Sequence, residues 1–434
     1  HKAGTAYLAA NRYQRGDRAP YVFRTDDYGQ TWTRIVGGLP GDDFPRVVRE
    51  DTVRPGLLYL GTEHGVYVSF DDGARWLSLR LDLPVTPVHG IVVQGNDLVI
   101  GTHGRGFYVL SGLGVLRQLT AEVTAAAVHL FRPDDLVRAR ATPIGSIWRS
   151  SGGGPGGGIA IDYLLGADAD RVEVEILDGT GAVVRRYTGE PEQEKTPQGT
   201  GAPGGDDEEF SGPPRGPRVG VTKGLHRVVW DGRYAGATTF PNLIMWAGNV
   251  AGPLAPPGAY QVRLTARGET RTQPFAVKRD ARLTGVTDAD LQAQFDLARR
   301  VTAKVSLAND TVLRIRALKA QVRDRAAKAV RDPTRDARYA AAAESLTAAL
   351  TAVEGEIYQW RNQSSQDPLN FPIKLNNKLA ALRGTIESAD ARPTTQSLAV
   401  FEELSGRLDA EIAKLEALLK GEVAAFNRLI AGRG

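Results

Sequence analysis

Apolar and polar residues alternate in short runs over residues 1–115, and clusters of Gly, Asp and Pro separate the runs. Tyr21-Val22-Phe23-Arg24 and Val66-Tyr67-Val68 are two of them. A period of two predicts half-buried strands joined by tight turns. Strand pattern is already present at Thr5–Ala10, so the chain is expected to be the C-terminal part of a longer polypeptide. Residues 116–158 read as a connector that ends in a glycine-rich linker, Ser150–Gly158, with no side chains to build a core. Alternation resumes at Ile159–Leu164 and Val172–Leu177, where Asp178-Gly179-Thr180-Gly181 predicts a hairpin into Val183–Tyr187. It returns at Leu225–Trp230 and Tyr260–Thr265 and ends near Phe275–Val277, so residues 159–280 are expected to form a β-sandwich.

Within that stretch, residues 189–219 are Pro, Gly and acid, including Asp206-Asp207-Glu208-Glu209, and are expected to be a disordered insertion. A solvated acidic run is the better reading than a calcium site, which needs six to eight oxygens held at once. From about Thr287 the period changes to that of a helix. Ala298, Val301, Val305, Ala308, Val312, Ile315, Leu318 and Val322 line one face of the first segment, which Thr287 or Asp288 caps and Asp332-Pro333 stops. Further helices are predicted over 336–361, 370–388 and 394–430, so residues 287–434 read as an antiparallel four-helix bundle.

Composition narrows the function classes. The net charge of +4 over 434 residues is too dilute to argue for nucleic acid. No apolar run approaches the ~18 residues of a membrane span. The absence of cysteine excludes disulfides and thiolate metal sites.

One motif occurs twice. Thr25-Asp26-Asp27-Tyr28-Gly29-Gln30-Thr31-Trp32 follows Ser/Thr-x-Asp-x-Gly-x-Thr-Trp, and 44 residues later Ser69-Phe70-Asp71-Asp72-Gly73-Ala74-Arg75-Trp76 repeats it, with Arg75 in place of Thr. Gly29 and Gly73 are expected at positive φ, Asp27 and Asp71 to accept hydrogen bonds from turn N–H groups, and Trp32 and Trp76 to fill the space between adjacent sheets. A second echo links Gly61-Thr62-Glu63-His64-Gly65 to Gly101-Thr102-His103-Gly104. A period of 40–44 residues with four strands is one propeller blade.

These motifs resemble those of the BNR/Asp-box superfamily of β-propellers, which includes sialidases, two-propeller xyloglucanases and sortilin-type receptors. The nearest likeness is to large bacterial exported proteins labelled "glycosyl hydrolase, BNR repeat" or sortilin-like. The resemblance implies that residues 1–115 are the last blades of a partial propeller. Gly224–Arg233 and Pro256–Val262 are similar to an immunoglobulin-like module, and Asp367–Leu379 resembles the tails of such proteins. The expected architecture is therefore multidomain β plus α: partial Asp-box propeller, immunoglobulin-like sandwich, helical bundle. The resemblance also implies a secreted or periplasmic location.

The chemistry is harder to place. A glycosidase needs two carboxylates flanking the scissile bond. Asp42, Asp43, Glu50, Asp51 and Glu63 are candidates, none in a diagnostic context. The Asp-box carboxylates serve their turns. Arg46, Arg49 and Arg105 do not make an arginine triad by abundance, and no catalytic residue can be assigned. His64, His103, Arg105 and Glu63 lie in Gly-flanked turns at strand ends and are the candidate binding residues of a propeller cleft. No cofactor or metal is implied. Two function readings follow. The favoured one is an exported scaffold that binds a protein or glycan through the propeller face. The alternative is a glycoside hydrolase with its site in the central cleft of the complete propeller.

Overall fold

The computed structural model describes residues 1–138, 158–191, 217–329 and 336–431. The chain is a mixed β and α protein: several small sheets followed by a C-terminal helical region.

Three antiparallel sheets come first. Strands β1 (Ala6–Arg12), β2 (Asp17–Thr25) and β3 (Thr33–Arg34) make sheet one. Sheet two is β4 (Pro45–Glu50), β5 (Leu58–Thr62), β6 (Val66–Ser69) and β7 (Leu77–Ser78). Sheet three is β8 (Val88–Gln94), β9 (Asp97–Thr102) and β10 (Phe107–Ser111). Their registers make them copies of one unit. Thr25 faces Ala6 as Ser69 faces Leu58, and Phe107 faces Gly101 as Val66 faces Gly61. Sheet two has all four strands of the unit. Among the described residues, sheet one lacks the strand equivalent to β4, and sheet three lacks the one equivalent to β7.

Alternation places one side chain set in each inter-sheet space. Val22, Ile35, Val48, Leu58, Leu60 and Trp76 fill the space between sheets one and two. Tyr59, Val66, Val68, Ile91, Leu98 and Ile100 fill the space between sheets two and three.

Where the sequence pattern offered only a connector, the chain forms two short helices, α1 (Gly114–Gln118) and α2 (Ala121–Ala125), and two strands, β11 (Val128–Leu130) and β12 (Leu136–Arg138). Three-residue strands are too short to show a period, which is why alternation missed them. Most of the predicted glycine-rich linker and of the predicted disordered insertion lies outside the described residues.

Strands β13 (Ile159–Leu165), β14 (Val172–Asp178), β15 (Val183–Gly189), β16 (Gly224–Trp230), β17 (Gly258–Ala266) and β18 (Glu269–Arg279) complete two further sheets, ordered β11-β13-β16 and β12-β18-β17-β14-β15. The two sheets share one core, in which the fully buried Trp230 meets Tyr260 and Phe275 at ring-centroid distances of 5.8 and 5.9 Å.

The first long helix, α3 (Asp288–Ala329), begins at a reciprocal cap. The Thr287 hydroxyl accepts from Asp290 N–H at 3.2 Å, while Asp290 accepts from the Thr287 hydroxyl at 2.6 Å and its N–H at 3.0 Å. Helices α4 (Asp336–Ile357), α5 (Leu375–Ile386), α6 (Thr395–Leu418) and α7 (Ala424–Ala431) share its core. Three boundaries differ from the sequence pattern. Helix α4 stops at Ile357 rather than near 361, and α5 starts at Leu375 rather than near 370, with Pro368 in the intervening 3₁₀ turn and Pro372 barring helix just before α5. The expected last helix is interrupted by a π turn at Leu419–Val423, centred on Gly421.

Residues 231–257, between β16 and β17, strap onto the helices. Ala237 and Phe240 join the helical core, and Leu243, Met245 and Val250 pack against it. Side chains fix the strap's backbone: Asn309 donates to Thr238 carbonyl at 2.6 Å, Asn377 exchanges two 2.7 Å bonds with the Trp246 backbone, and Glu387 accepts from Leu254 N–H at 2.8 Å. Buried amide side chains need such partners, so this polar seam specifies one docking of strap on helices.

Candidate functional site

Each copy of the repeated motif is a hairpin between the last two strands of its sheet, closed by side-chain bonds that reach no further than four residues. In the first, the Asp27 carboxylate accepts from the Thr25 hydroxyl at 2.8 Å, from Thr31 N–H at 2.9 Å and from the Thr31 hydroxyl at 2.6 Å. Gly29 N–H donates to the Thr25 oxygen at 2.9 Å. The second repeats this: Asp71 accepts from the Ser69 hydroxyl at 2.7 Å and Arg75 N–H at 2.9 Å, and Gly73 N–H donates to the Ser69 oxygen at 2.9 Å. Positive φ occurs at Gly29 and Gly73 as expected, and also at Tyr28 and Asp72 before them. The Thr31 hydroxyl and N–H and the Thr25 hydroxyl hold the Asp27 carboxyl down to about 2. The hydrogen bonds of Asp27 and Asp71 all lie within their own turns.

The tryptophans diverge. Trp76 is 1% exposed and donates its indole N–H to Ile35 carbonyl at 2.8 Å, so it fills the space between sheets one and two. Trp32 does not fill such a space: it is 44% exposed and bonds only its own turn, at Gly29 carbonyl. No described sheet packs on that side of sheet one, so the indole has nothing to plug.

The sequence-selected residues lie at the opposite strand ends from the Asp boxes. Glu63 and His64 follow β5, while His103 and Arg105 follow β9. The starts of β4 and β8 come to the same rim, because antiparallel pairing sets a strand's start beside its neighbour's end. Glu63 N–H donates to Phe44 carbonyl at 3.1 Å, as His103 N–H does to Pro87 carbonyl at 2.9 Å.

Several side chains gather there. Arg46 holds Glu63 through two bonds to one carboxylate oxygen, at 2.7 and 3.1 Å. The Arg46 guanidinium also sits 4.7 Å from the Tyr13 ring centroid and 4.8 Å from that of Phe44. These two rings stack at 4.9 Å, with planes 7° apart. Phe44 is buried beneath, whereas Tyr13 is exposed. His89 and His103, both exposed, stack at 5.1 Å. Burial, with Arg46 and His103 nearby, holds the His89 imidazole below its ordinary value. Arg105 projects from the β9–β10 turn, exposed.

Four of the five candidate acids, Asp43, Glu50, Asp51 and Glu63, have hydrogen-bond partners within the chain. Asp43 is fully buried and accepts from the Thr62 hydroxyl, the Tyr67 hydroxyl and the His64 backbone N–H, at 3.0, 3.0 and 3.2 Å, with His64 Nδ1 also 3.0 Å away. Burial first, then the Asp43 carboxylate, push the Tyr67 phenol up to about 12. Glu50 and Asp51 lie at the far end of β4, where Glu50 accepts from Gly56 N–H and Asp51 takes Arg117, Tyr59 and two turn N–H groups. Asp42 is exposed beside Asp43. Of the carboxylates considered from the sequence, only Glu63 joins the aromatic and histidine cluster.

Tyr13, Phe44 and His89 were not singled out from the sequence, and Arg46 was named there only among arginines that make no triad. The echo between Gly61–Gly65 and Gly101–Gly104 does not reach these positions, and only the backbone bonds of Glu63 and His103 align Phe44 with Pro87. Among the described residues, no three His, Asp or Glu are grouped to hold a metal ion. No helix among them is long and apolar enough to cross a membrane.

No family model matches the chain, and no curated protein matches it. Solved structures do. An ancestral GH74 enzyme is 17% identical over 44% of this chain and 26% of its own, with a TM-score of 0.22. The GH74 xyloglucanase from Xanthomonas campestris is 14% identical over 63% of this chain and 36% of its own, with a TM-score of 0.21. The extracellular domain of a protein described as a hybrid two component system from B. thetaiotaomicron is 10% identical over 59% and 30%, with a TM-score of 0.19. The chain spans between 26% and 36% of the length of these proteins. None of these likenesses assigns it to a family.

Proposed function

We propose that this chain contributes the closing blades of an Asp-box β-propeller, an immunoglobulin-like sandwich and a helical bundle to an exported scaffold protein, and that the rim of its first three sheets binds a glycan. The two Asp boxes with their shared register, and the resemblance they carry to exported Asp-box proteins, support the architecture and the location. The observation that carries the binding reading is the exposed Tyr13 ring, backed by Phe44 and flanked by the Arg46–Glu63 pair and the His89–His103 stack. A rigid aromatic face stacks on the C–H face of a sugar ring, and fixed planar polar groups at its edge take the hydroxyls. The commitment of Asp43 and Glu63 to structural partners favours binding over hydrolysis.

A glycan array with the full chain, followed by calorimetry on the best ligand, tests this. Tyr13→Ala is expected to weaken binding by about 1–3 kcal/mol, roughly tenfold or more, without lowering Tm, and Arg46→Ala to weaken it similarly while lowering Tm through loss of its pair with Glu63. Binding that survives Tyr13→Ala unchanged defeats the rim as the site. Saccharide release that Glu63→Gln abolishes transfers the protein to the glycoside hydrolases.

A further inference from the structure

Sheets two and three close the same rim turn with different side chains behind it. In sheet two the Thr62 N–H and hydroxyl donate to Gly65 carbonyl at 2.9 and 3.2 Å. In sheet three the Thr102 N–H and hydroxyl donate to Gly106 carbonyl at 3.1 and 2.7 Å. Each turn is also tied to the strand beside it, Glu63 N–H on Phe44 carbonyl and His103 N–H on Pro87 carbonyl. The residue before each of those carbonyls is buried in both sheets, yet it is Asp43 in one and Thr86 in the other. The Thr86 hydroxyl has no hydrogen-bond partner among the described residues. The turn therefore closes without a carboxylate behind it.

Burying a carboxylate is costly unless its oxygens are met. In sheet two they are met, and what the carboxylate adds is the orientation of one imidazole. The Thr62 and Tyr67 hydroxyls hold one Asp43 oxygen at 3.0 Å each, so the group cannot swing. The other oxygen accepts from His64 backbone N–H at 3.2 Å and lies 3.0 Å from His64 Nδ1. A carboxylate only accepts, so Nδ1 carries the proton and the lone pair of the neutral ring falls on Nε2. Nε2 lies on the side of the ring away from Asp43. The His64 side chain is 46% exposed, whereas that of Asp43 is fully buried. Sheet two has sheet one on one side and sheet three on the other, so this exposure does not come from a missing neighbour.

We propose that Asp43 is a positioning residue that holds His64 as its Nδ1–H tautomer, and that His64 Nε2 accepts a hydrogen bond from a sugar hydroxyl at the rim. The second half rests on the glycan reading above. His64 follows Glu63 directly, so the contact extends the site along the β5–β6 turn and supplies an acceptor where Arg46 supplies donors.

Two-bond ¹H–¹⁵N correlation spectra of the full chain with labelled histidine, taken about two pH units above the ordinary histidine value, read the tautomer directly. His64→Ala assigns its signals among the six histidines. The expected spectrum has a protonated Nδ1 and a bare Nε2. Asp43→Asn is expected to reverse the tautomer, because its amide donates to Nδ1. His64→Ala is expected to weaken the best glycan from the array about three- to tenfold, the worth of one hydrogen bond, and Asp43→Asn by as much. Asp42→Asn removes the exposed acid next in sequence and is expected to change neither tautomer nor binding, which separates positioning from loss of charge. An Nε2–H tautomer in the unaltered chain, or an unchanged tautomer in a folded Asp43→Asn chain, overturns the proposal. Full binding by His64→Ala where Tyr13→Ala loses it also overturns the proposal and leaves the glycan reading standing. A chain that binds no glycan overturns the glycan reading and the His64 contact with it. The spectrum of the unaltered chain and the binding of His64→Ala decide the matter even where Asp43→Asn does not fold.

Discussion

The two Asp boxes are the same turn in two settings. Both close through a Ser or Thr oxygen on the glycine N–H and an aspartate on the hydroxyl and on the N–H four residues later. Both are also pinned from the next turn, Tyr28 N–H on Gly4 carbonyl and Asp72 N–H on Gly56 carbonyl, each at 3.0 Å. Yet one tryptophan is core and the other is surface. The turn closes through side-chain bonds within its own eight residues, whereas the worth of its tryptophan is set by the sheet next door.

The largest test of that contrast is truncation. Trp76→Ala removes a buried indole and leaves Ile35 carbonyl without its partner, so about 3–5 kcal/mol should be lost in urea denaturation. Trp32→Ala should cost under about 1 kcal/mol, since most surface changes are small. Similar losses from both would break the comparison.

Glycine substitution comes next. Gly29→Ala and Gly73→Ala both force a side chain to φ near +90°, a strain of about 1–2 kcal/mol. At Gly73 the added carbon would also collide with Ile35 Cδ1, whereas at Gly29 it meets only ordinary contact with Trp32. Gly73→Ala should therefore lower Tm further, by an added overpacking cost of about 1–3 kcal/mol. Equal Tm shifts would show that Ile35 yields freely.

Acid should loosen the first box. Its Asp27 carboxyl is depressed in the folded chain, from an ordinary 3.8 to about 2. The stabilisation is thus complete above the ordinary value and is lost as pH falls through about 2. Amide exchange at Thr31 should accelerate over that window, and Asp27→Asn should remove the pH dependence.

The smallest effect sharpens the pairing of the boxes. Arg75→Thr supplies the hydroxyl that Thr31 gives to Asp27 and should raise stability by about 0.5–1.5 kcal/mol, with the glycan array profile unchanged. No gain would mean that the third bond adds nothing in the second box.

Much of the secondary structure was legible. Strands β13, β14 and β16 fall within a residue or so of their alternating runs, and α3 begins at its expected cap. These elements depend on neighbours a few positions away. The strap at 231–257 was not legible, because its apolar residues have no period of their own and are buried only by α3, α4 and α5. The rim was half legible. Glu63, His64, His103 and Arg105 stood out by their glycine-flanked turns, but Tyr13 reaches Phe44 across 31 residues and His89 meets His103 across 14.

By itself the sequence determined the two repeated turns, their spacing, and the change from period two to helical period near residue 287. Each follows from bonds or faces that close within a few residues. Only the tertiary structure decided which tryptophan is buried, which carboxylates are committed, and which edge is left open. Those outcomes depend on groups distant in sequence: Ile35 carbonyl of sheet one for Trp76, Arg46 of the adjacent strand for Glu63, and, among the described residues, no outer strand for β10.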